Sequence, residues 1–340
     1  MAAINPNNPD KFKHLGPRIE HSYTLHFVGD WGMANFHRIC SWLSQQFCDR
    51  AGPDSRTAIW SIRYGGIEAV TAVARGEAHL AIATPAQMIS TARTGEGIFA
   101  RFGPMPSLRV LGTIPQNDRV VLAIHPKYGI SSFEELRRRK PALRIATSCN
   151  DATNFIGYTA FAYLRAHGIP EDTITAWGGE VVTMTRPEQA IGLVLSGEAD
   201  AVLPEAIMTP GWRSVIEEEK FVPLPLEPEA LTRFLEENPG STVPDPQPLP
   251  AGFWKNLAKP LPALDFSDFV VLVREDLPEE VAHLLTWCLV ETRECIEQQY
   301  RHLDPTRSPL SYPLVPHKMA RAAIPLHPGA EKFYRGARYL

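Results

Sequence analysis

Cysteine is sparse and badly placed for cross-linking: the five thiols, Cys40, Cys48, Cys149, Cys288 and Cys295, are odd in number and contain no CxxC pair. That argues against a disulfide framework and against a zinc site. No run reaches the roughly 18–20 apolar residues of a membrane-spanning helix, so no direct membrane insertion is expected. Charge of one sign is missing too. With 34 Lys and Arg against 38 Asp and Glu, the net charge is -4 and no basic stripe stands out, which disfavours nucleic acid and membrane surfaces as partners. The one basic run, Arg137 to Lys140, closes a predicted helix, where cations suit the dipole. HExxH, a phosphate loop and a Ser-His-Asp order are absent, and no motif calls for a metal or a cofactor. Met1 to Asp10 carries neither a charged n-region nor an apolar h-region. No export signal is visible there, and a cytoplasmic location is expected, with the periplasm as the alternative if a leader has been removed.

What is present is a repeat. Glu68 to Pro85 is echoed roughly 120 residues later by Glu188 to Pro204, with one residue inserted before the second Gly-Glu-Ala. Each copy predicts an amphipathic helix, a stop at Gly76 or Gly197, and a short apolar strand. Two such cassettes imply two α/β domains. Ligands in open α/β sheets bind beyond the carboxyl ends of the strands, so Thr84, Gln87, Pro204 and Glu205 are expected to face a shared cleft.

Taken in order, residues 1–20 form a polar lead-in. One lobe is expected from residues 21–117 and 258–340, and a second from 118–257. Tyr23 to Val28 predicts a strand that empties into Gly29, Asp30, Trp31, Gly32 and Asn35 ahead of the helix Phe36 to Phe47. Such a loop brings backbone N–H groups to the top of a sheet, and Trp31 between turn glycines offers a flat apolar wall. Gly65 and Gly66 open the first cassette's helix and are counted with the ligand contacts. Leu108 to Ile114 and Val120 to Ile124 each predict a strand, and Ser131 to Arg139 a serine-capped helix. Leu143 to Ala146 predicts another strand, feeding the loop of Ser148, Asn150, Asp151, Thr153 and Asn154 before the helix Phe155 to His167. These polar side chains are more than helix capping needs, although capping alone also explains them. Ten prolines between Val222 and Pro262 exclude regular structure except around Pro228 to Glu237. Val281 to Tyr300 reads as one long helix.

The chain resembles the periplasmic-binding-protein fold of the two-crossing type, and within it the TAXI family of solute receptors for TRAP transporters. The resemblance rests on Gly65-Gly-Ile-Glu, Gly76-Glu-Ala-His-Leu-Ala-Ile82, Ser131-Ser-Phe-Glu-Glu-Leu136, Gly197-Glu-Ala-Asp-Ala201 and Pro325-Leu-His-Pro-Gly-Ala-Glu-Lys-Phe-Tyr334. It spans about residues 22–336. It implies two α/β lobes closing on a small, often carboxylate-bearing solute, no cofactor, and a permease partner if the protein is exported. Ligand contacts fall, on this resemblance, in the loops Gly29 to Asn35, Thr84 to Gln87, Ser148 to Asn154 and Glu205 to Trp212.

Departures from the family pattern open a second reading. Asp30 and Trp31 replace a glycine-threonine-rich loop and its tyrosines, and Asp151 enters the second-lobe loop. Asp30, Asp151 and Glu205 would repel a simple carboxylate unless a cation, proton or amine compensates. Some proteins of this fold are enzymes, and cleft carboxylates could act as general acid and base if burial raises one pKa. The alternative is therefore a cytoplasmic decarboxylase, hydrolase or isomerase using Asp30, Asp151 and Glu205, with His37 as the histidine to test first. In the binding reading, Trp31 and Trp212 cover the flat face of a small polar or aromatic metabolite. His26, His79 and His327 are read as structural.

Overall fold

The computed structural model describes residues 16–29, 35–62 and 66–340. Two compact units emerge. Unit 1 holds the described residues up to Thr94, with Pro104–Gln116 and Asp268–Leu340; unit 2 holds Gly95–Gly103 and Asn117–Ser267.

In unit 1 the described strands form a sheet in the order Arg56–Trp60, Thr24–Val28, Leu80–Ala83, Phe269–Arg274, Leu108–Ile114. The first three run parallel, and Phe269–Arg274 is antiparallel to both its neighbours. Leu25 and Phe27 alternate onto one face. There they join Ile39, Leu43 and Phe47 of the Asn35–Cys48 helix and Leu285 and Leu289 of the Glu279–Glu291 helix in one buried core. Each such side chain contributes roughly 1.5–3 kcal/mol by leaving water. Cys40 and Cys288 belong to this core, and all five cysteines are free.

The long C-terminal helix expected over Val281 to Tyr300 is instead two, Glu279–Glu291 and Arg293–Gln298. Thr292 makes the break. Its hydroxyl donates back to the Cys288 carbonyl and accepts the Trp42 indole N–H at 2.7 Å. Back-bonding of this kind bends helices. The Pro325 to Tyr334 motif proves to be a fastening: Leu326 bridges Val110, and His327 Nδ1 accepts the Gly329 N–H while Nε2 donates to the Glu275 carbonyl. A side chain at Gly329 would meet the Glu279 carbonyl at 2.3 Å, so only glycine fits.

Unit 2 carries a sheet in the order Val222–Pro223, Ala123–Ile124, Ala201–Val202, Arg144–Ser148, Glu180–Met184. The last three are parallel. The strand expected over Val120 to Ile124 is split: Arg119–Val120 pairs with Leu264–Asp265, and Ala123–Ile124 joins the main sheet. The two cassettes have the same stop. Gly76 and Gly197 take φ 74° and 79°, and the next two amides of each turn back to the carbonyl of Ala72 or Leu193. Among the described residues no helix is long and apolar enough to cross a membrane.

Candidate functional site

The most developed loop is in unit 2, between the strand Arg144–Ser148 and the helix Phe155–Ala166. Cys149 N–H extends the ladder to the Met184 carbonyl at 3.0 Å. The chain then turns through Asp151, whose Oδ1 accepts Thr153 N–H at 3.0 Å and Thr153 Oγ1 at 2.5 Å, and through Ala152 at φ 60°. Asn154 caps the helix, its Oδ1 accepting the Gly157 N–H at 2.8 Å. Gly157 is needed for this return, because a Cβ there would lie 1.8 Å from the Cys149 carbonyl oxygen.

Two buried donors, one at each end of this loop, stand without a partner among the described residues. Ser148 Oγ and Asn154 Nδ2 are enclosed, on residues 0% and 2% exposed, and have no hydrogen-bond partner among the described residues. Asn154 caps the positive end of a 12-residue helix, and Ser148 closes the strand before the loop. Arg101 was not singled out from the sequence, yet its guanidinium donates to the carbonyls of Asp151 and Ala152 at 3.4 and 2.9 Å. Phe99 packs edge-on against Phe155, centroids 5.6 Å apart, which holds the Gly97–Phe99 turn against the helix start. Nothing local in the sequence links residue 101 to residue 151, so only the tertiary fold shows this support. Asn150 is exposed, and Thr153 is partly engaged by Asp151.

Asp151 is exposed, and its Oδ1 is engaged by its own turn. Trp212 needs correction as a ligand cover. It is fully buried, stacked on Trp254 at 5.8 Å, with its indole N–H donating to the Glu205 carbonyl at 2.9 Å. A tryptophan with its polar handle satisfied is a core residue. Glu205 is 9% exposed. Its loop and the Ser148 loop follow the same carboxyl end of two neighbouring strands, because Ile145 and Ala146 pair in parallel with Ala201 and Val202. Thr147 Oγ1 ties the two strand ends by donating to the Leu203 carbonyl at 2.8 Å. Tyr158, one turn into the helix, donates to Asn238 Oδ1 at 2.7 Å, and burial lifts its phenol above the ordinary value.

In unit 1, Asp30, Trp31, Gly32 and Gly65 lie outside the described residues. Gly29 is buried, donates its N–H to the Trp60 carbonyl at 3.1 Å, and packs so closely on His37 that a Cβ would meet Nδ1 at 2.5 Å. That Nδ1 is enclosed, with no partner among the described residues. Asn35 is committed within the unit, its amide donating to the Pro309 carbonyl at 3.0 Å and accepting from Tyr300 OH. Gly66 sits at φ 82° before the helix Ile67–Ala74. Thr84 Oγ1 donates to the Asp268 carbonyl at 2.9 Å, and Gln87 is half-buried with its carbonyl accepting from Ser90. Gly29 and Thr84 fall at one sheet end, since Phe27 and Val28 pair in parallel with Leu80 and Ala81.

A family model described as the NMT1-like family matches residues 53–337. No curated protein matches the sequence. Among solved structures, MatC from Rhodopseudomonas palustris with bound malate is 11% identical, with 93% of this chain and 97% of that one covered at a TM-score of 0.50. A structure described as a periplasmic transporter is 13% identical over 79% of this chain and 82% of its own, TM-score 0.48. An R. palustris protein with adipate is 10% identical over 80% and 87%, TM-score 0.47. The fold is the α/β two-lobe periplasmic-binding-protein-like fold, shared with MatC along nearly the whole of both chains.

Proposed function

The chain belongs to the NMT1-like family, and from its loop chemistry we propose that it is a solute receptor capturing a small carboxylate-bearing metabolite, of the TAXI type that its sequence resembles. The observation that carries this reading is the enclosed Asn154 Nδ2 at the start of the Phe155–Ala166 helix, together with the enclosed Ser148 Oγ at the end of the strand that leads into the same loop, both without a partner among the described residues. A buried donor left unmade costs about 1–3 kcal/mol. Two at the ends of one loop suit an acceptor supplied from outside the chain, and a carboxylate near Asn154 also gains from the helix dipole. The exposed carboxylate of Asp151 is occupied by Thr153, which weakens the repulsion that its presence in the loop suggested. Trp31 is proposed as the flat apolar wall on sequence grounds. A receptor of this type hands its solute to a membrane permease and works outside the cytoplasm; fractionating cells that express the natural gene tests that part.

Thermal-shift screening against mono- and dicarboxylates tests the binding reading, with malate first because MatC holds malate. The hit is then incubated with the protein and recovered. Recovery unchanged supports a receptor; conversion to a product supports the enzymatic alternative. Absence of any stabilising carboxylate overturns the proposal.

A further inference from the structure

Asp118 lies just inside unit 2 and is 1% exposed. Its carboxylate gathers backbone amides. Ala206 N–H lies 2.9 Å from each oxygen, Ile207 N–H 3.2 Å and Arg119 N–H 2.8 Å from Oδ1. The Arg119 guanidinium points elsewhere, to the Asp118 carbonyl at 2.6 Å and to Asp265 Oδ2 at 3.1 Å. Ala206 takes φ 65°, a left-handed conformation that an alanine does not adopt unaided. Successive amides beside a left-handed residue form a concavity for an anion. Here the anion is a side chain from 88 positions earlier in the chain.

We propose that Asp118 is the positioning residue of the Glu205 loop: by accepting the Ala206 and Ile207 amides it holds Ala206 left-handed and so sets the direction of Glu205. The other side of the same peptide is fixed by Trp212, which donates to the Glu205 carbonyl. Glu205 is thus clamped between a carboxylate on one side of its peptide and an indole on the other; the indole comes from seven residues further on, and the carboxylate from a distant part of the chain. Burial lifts the Asp118 carboxyl to about 7, while the Ala206, Arg119 and Ile207 amides and the Arg119 charge pull it down. The consequence for solute capture rests on the proposed function; the positioning does not.

The test uses full-length protein and no ligand. The Trp212 indole N–H resonance, identified by its loss in Trp212→Phe, reports the Glu205 carbonyl. Asp118→Asn keeps the shape but turns one acceptor into a donor facing the loop. The expected result is a shifted Trp212 resonance and about tenfold faster exchange of the Ala206 and Ile207 amides. Adding Ala206→Gly, which enters the left-handed region without help, should return the Trp212 resonance toward its wild-type position. An unmoved resonance in Asp118→Asn, or a shift that Ala206→Gly fails to reverse, overturns the proposal. Should Asp118→Asn not fold, recovery of folding by Ala206→Gly supports it and failure to recover overturns it. Because no solute is involved, these outcomes leave the receptor reading standing or falling by itself.

Discussion

His79 accepts the backbone N–H of His26 through its Nδ1 at 3.0 Å. In the other copy of the cassette Asp200 accepts the N–H of Arg144 through Oδ2 at 3.1 Å. Each residue also donates its own N–H back to the same strand, to the carbonyls of His26 and Arg144 at 2.8 Å. The repeat therefore preserves an acceptor rather than a residue type, and it explains why a histidine can stand where its counterpart is an aspartate. The acceptor works only while Nδ1 is unprotonated. Burial holds the His79 pKa below its ordinary value, with His26 adding to the effect.

His79→Leu should cost about 1 kcal/mol at neutral pH through the lost hydrogen bond. His79→Asp restores an acceptor and should cost less. A folded pKa below the unfolded one gives stability that is complete above about 6.5 and is lost as pH falls. Denaturant melts of wild type and His79→Asp should therefore converge below that pH. Parallel pH profiles would contradict the acceptor role.

His167 provides the larger pH effect. Its ring stacks on Phe133 at 3.7 Å, Nδ1 donates to the Tyr163 carbonyl at 2.8 Å, and burial pushes its pKa down to about 4. Between the unfolded value near 6.5 and the folded value, the unfolded chain takes up a proton that the folded chain refuses. The stability lost over that window is on the order of 3 kcal/mol. Asp118 works in the opposite sense, since its raised pKa favours the folded state as pH falls from about 7. Comparison with His167→Gln cancels the Asp118 contribution, and the difference between the two proteins should shrink as pH approaches about 4.

Gly157→Ala should destabilise by about 1–3 kcal/mol and weaken solute binding, because its Cβ would collide with the Cys149 carbonyl and push the loop off the helix. Chemical denaturation and the thermal-shift screen read the two effects. Unchanged stability would mean that the loop yields easily and is a poor candidate for a rigid site.

Asp151→Asn should leave both stability and solute binding nearly as they are, because asparagine supports the same turn with Thr153. A loss of about tenfold or more in affinity would return Asp151 to the site.

The two α/β units, the cassettes and most strands were legible because they rest on local signals: apolar spacing, glycine stops and serine caps. Gly197 at φ 79° and Ser132 accepting the Glu135 N–H are such cases. The loop before Phe155 was legible as well, from five polar residues ahead of a helix. What stayed hidden depends on distant partners. The Thr292 break needs Trp42, the turn at Asp151 is supported by Arg101, and Trp212 could be recognised as core only once Trp254 lay on its face. Trp212 misled because it follows, in sequence, a loop expected to contact ligand, while its side chain is buried against Trp254 and its indole N–H donates to the Glu205 carbonyl.

Binding of small carboxylates to wild type and Asn154→Asp tests the central claim most directly. Aspartate keeps the cap to Gly157 and suits the helix dipole, so the unliganded melting temperature should hold or rise. It also replaces the unpartnered Nδ2 donor with a negative acceptor. The expected result is a carboxylate that, at about 100 times its Kd, stabilises the wild type by about 2.7 kcal/mol and leaves Asn154→Asp unshifted. Equal stabilisation of both proteins would contradict the claim that this helix start receives the solute.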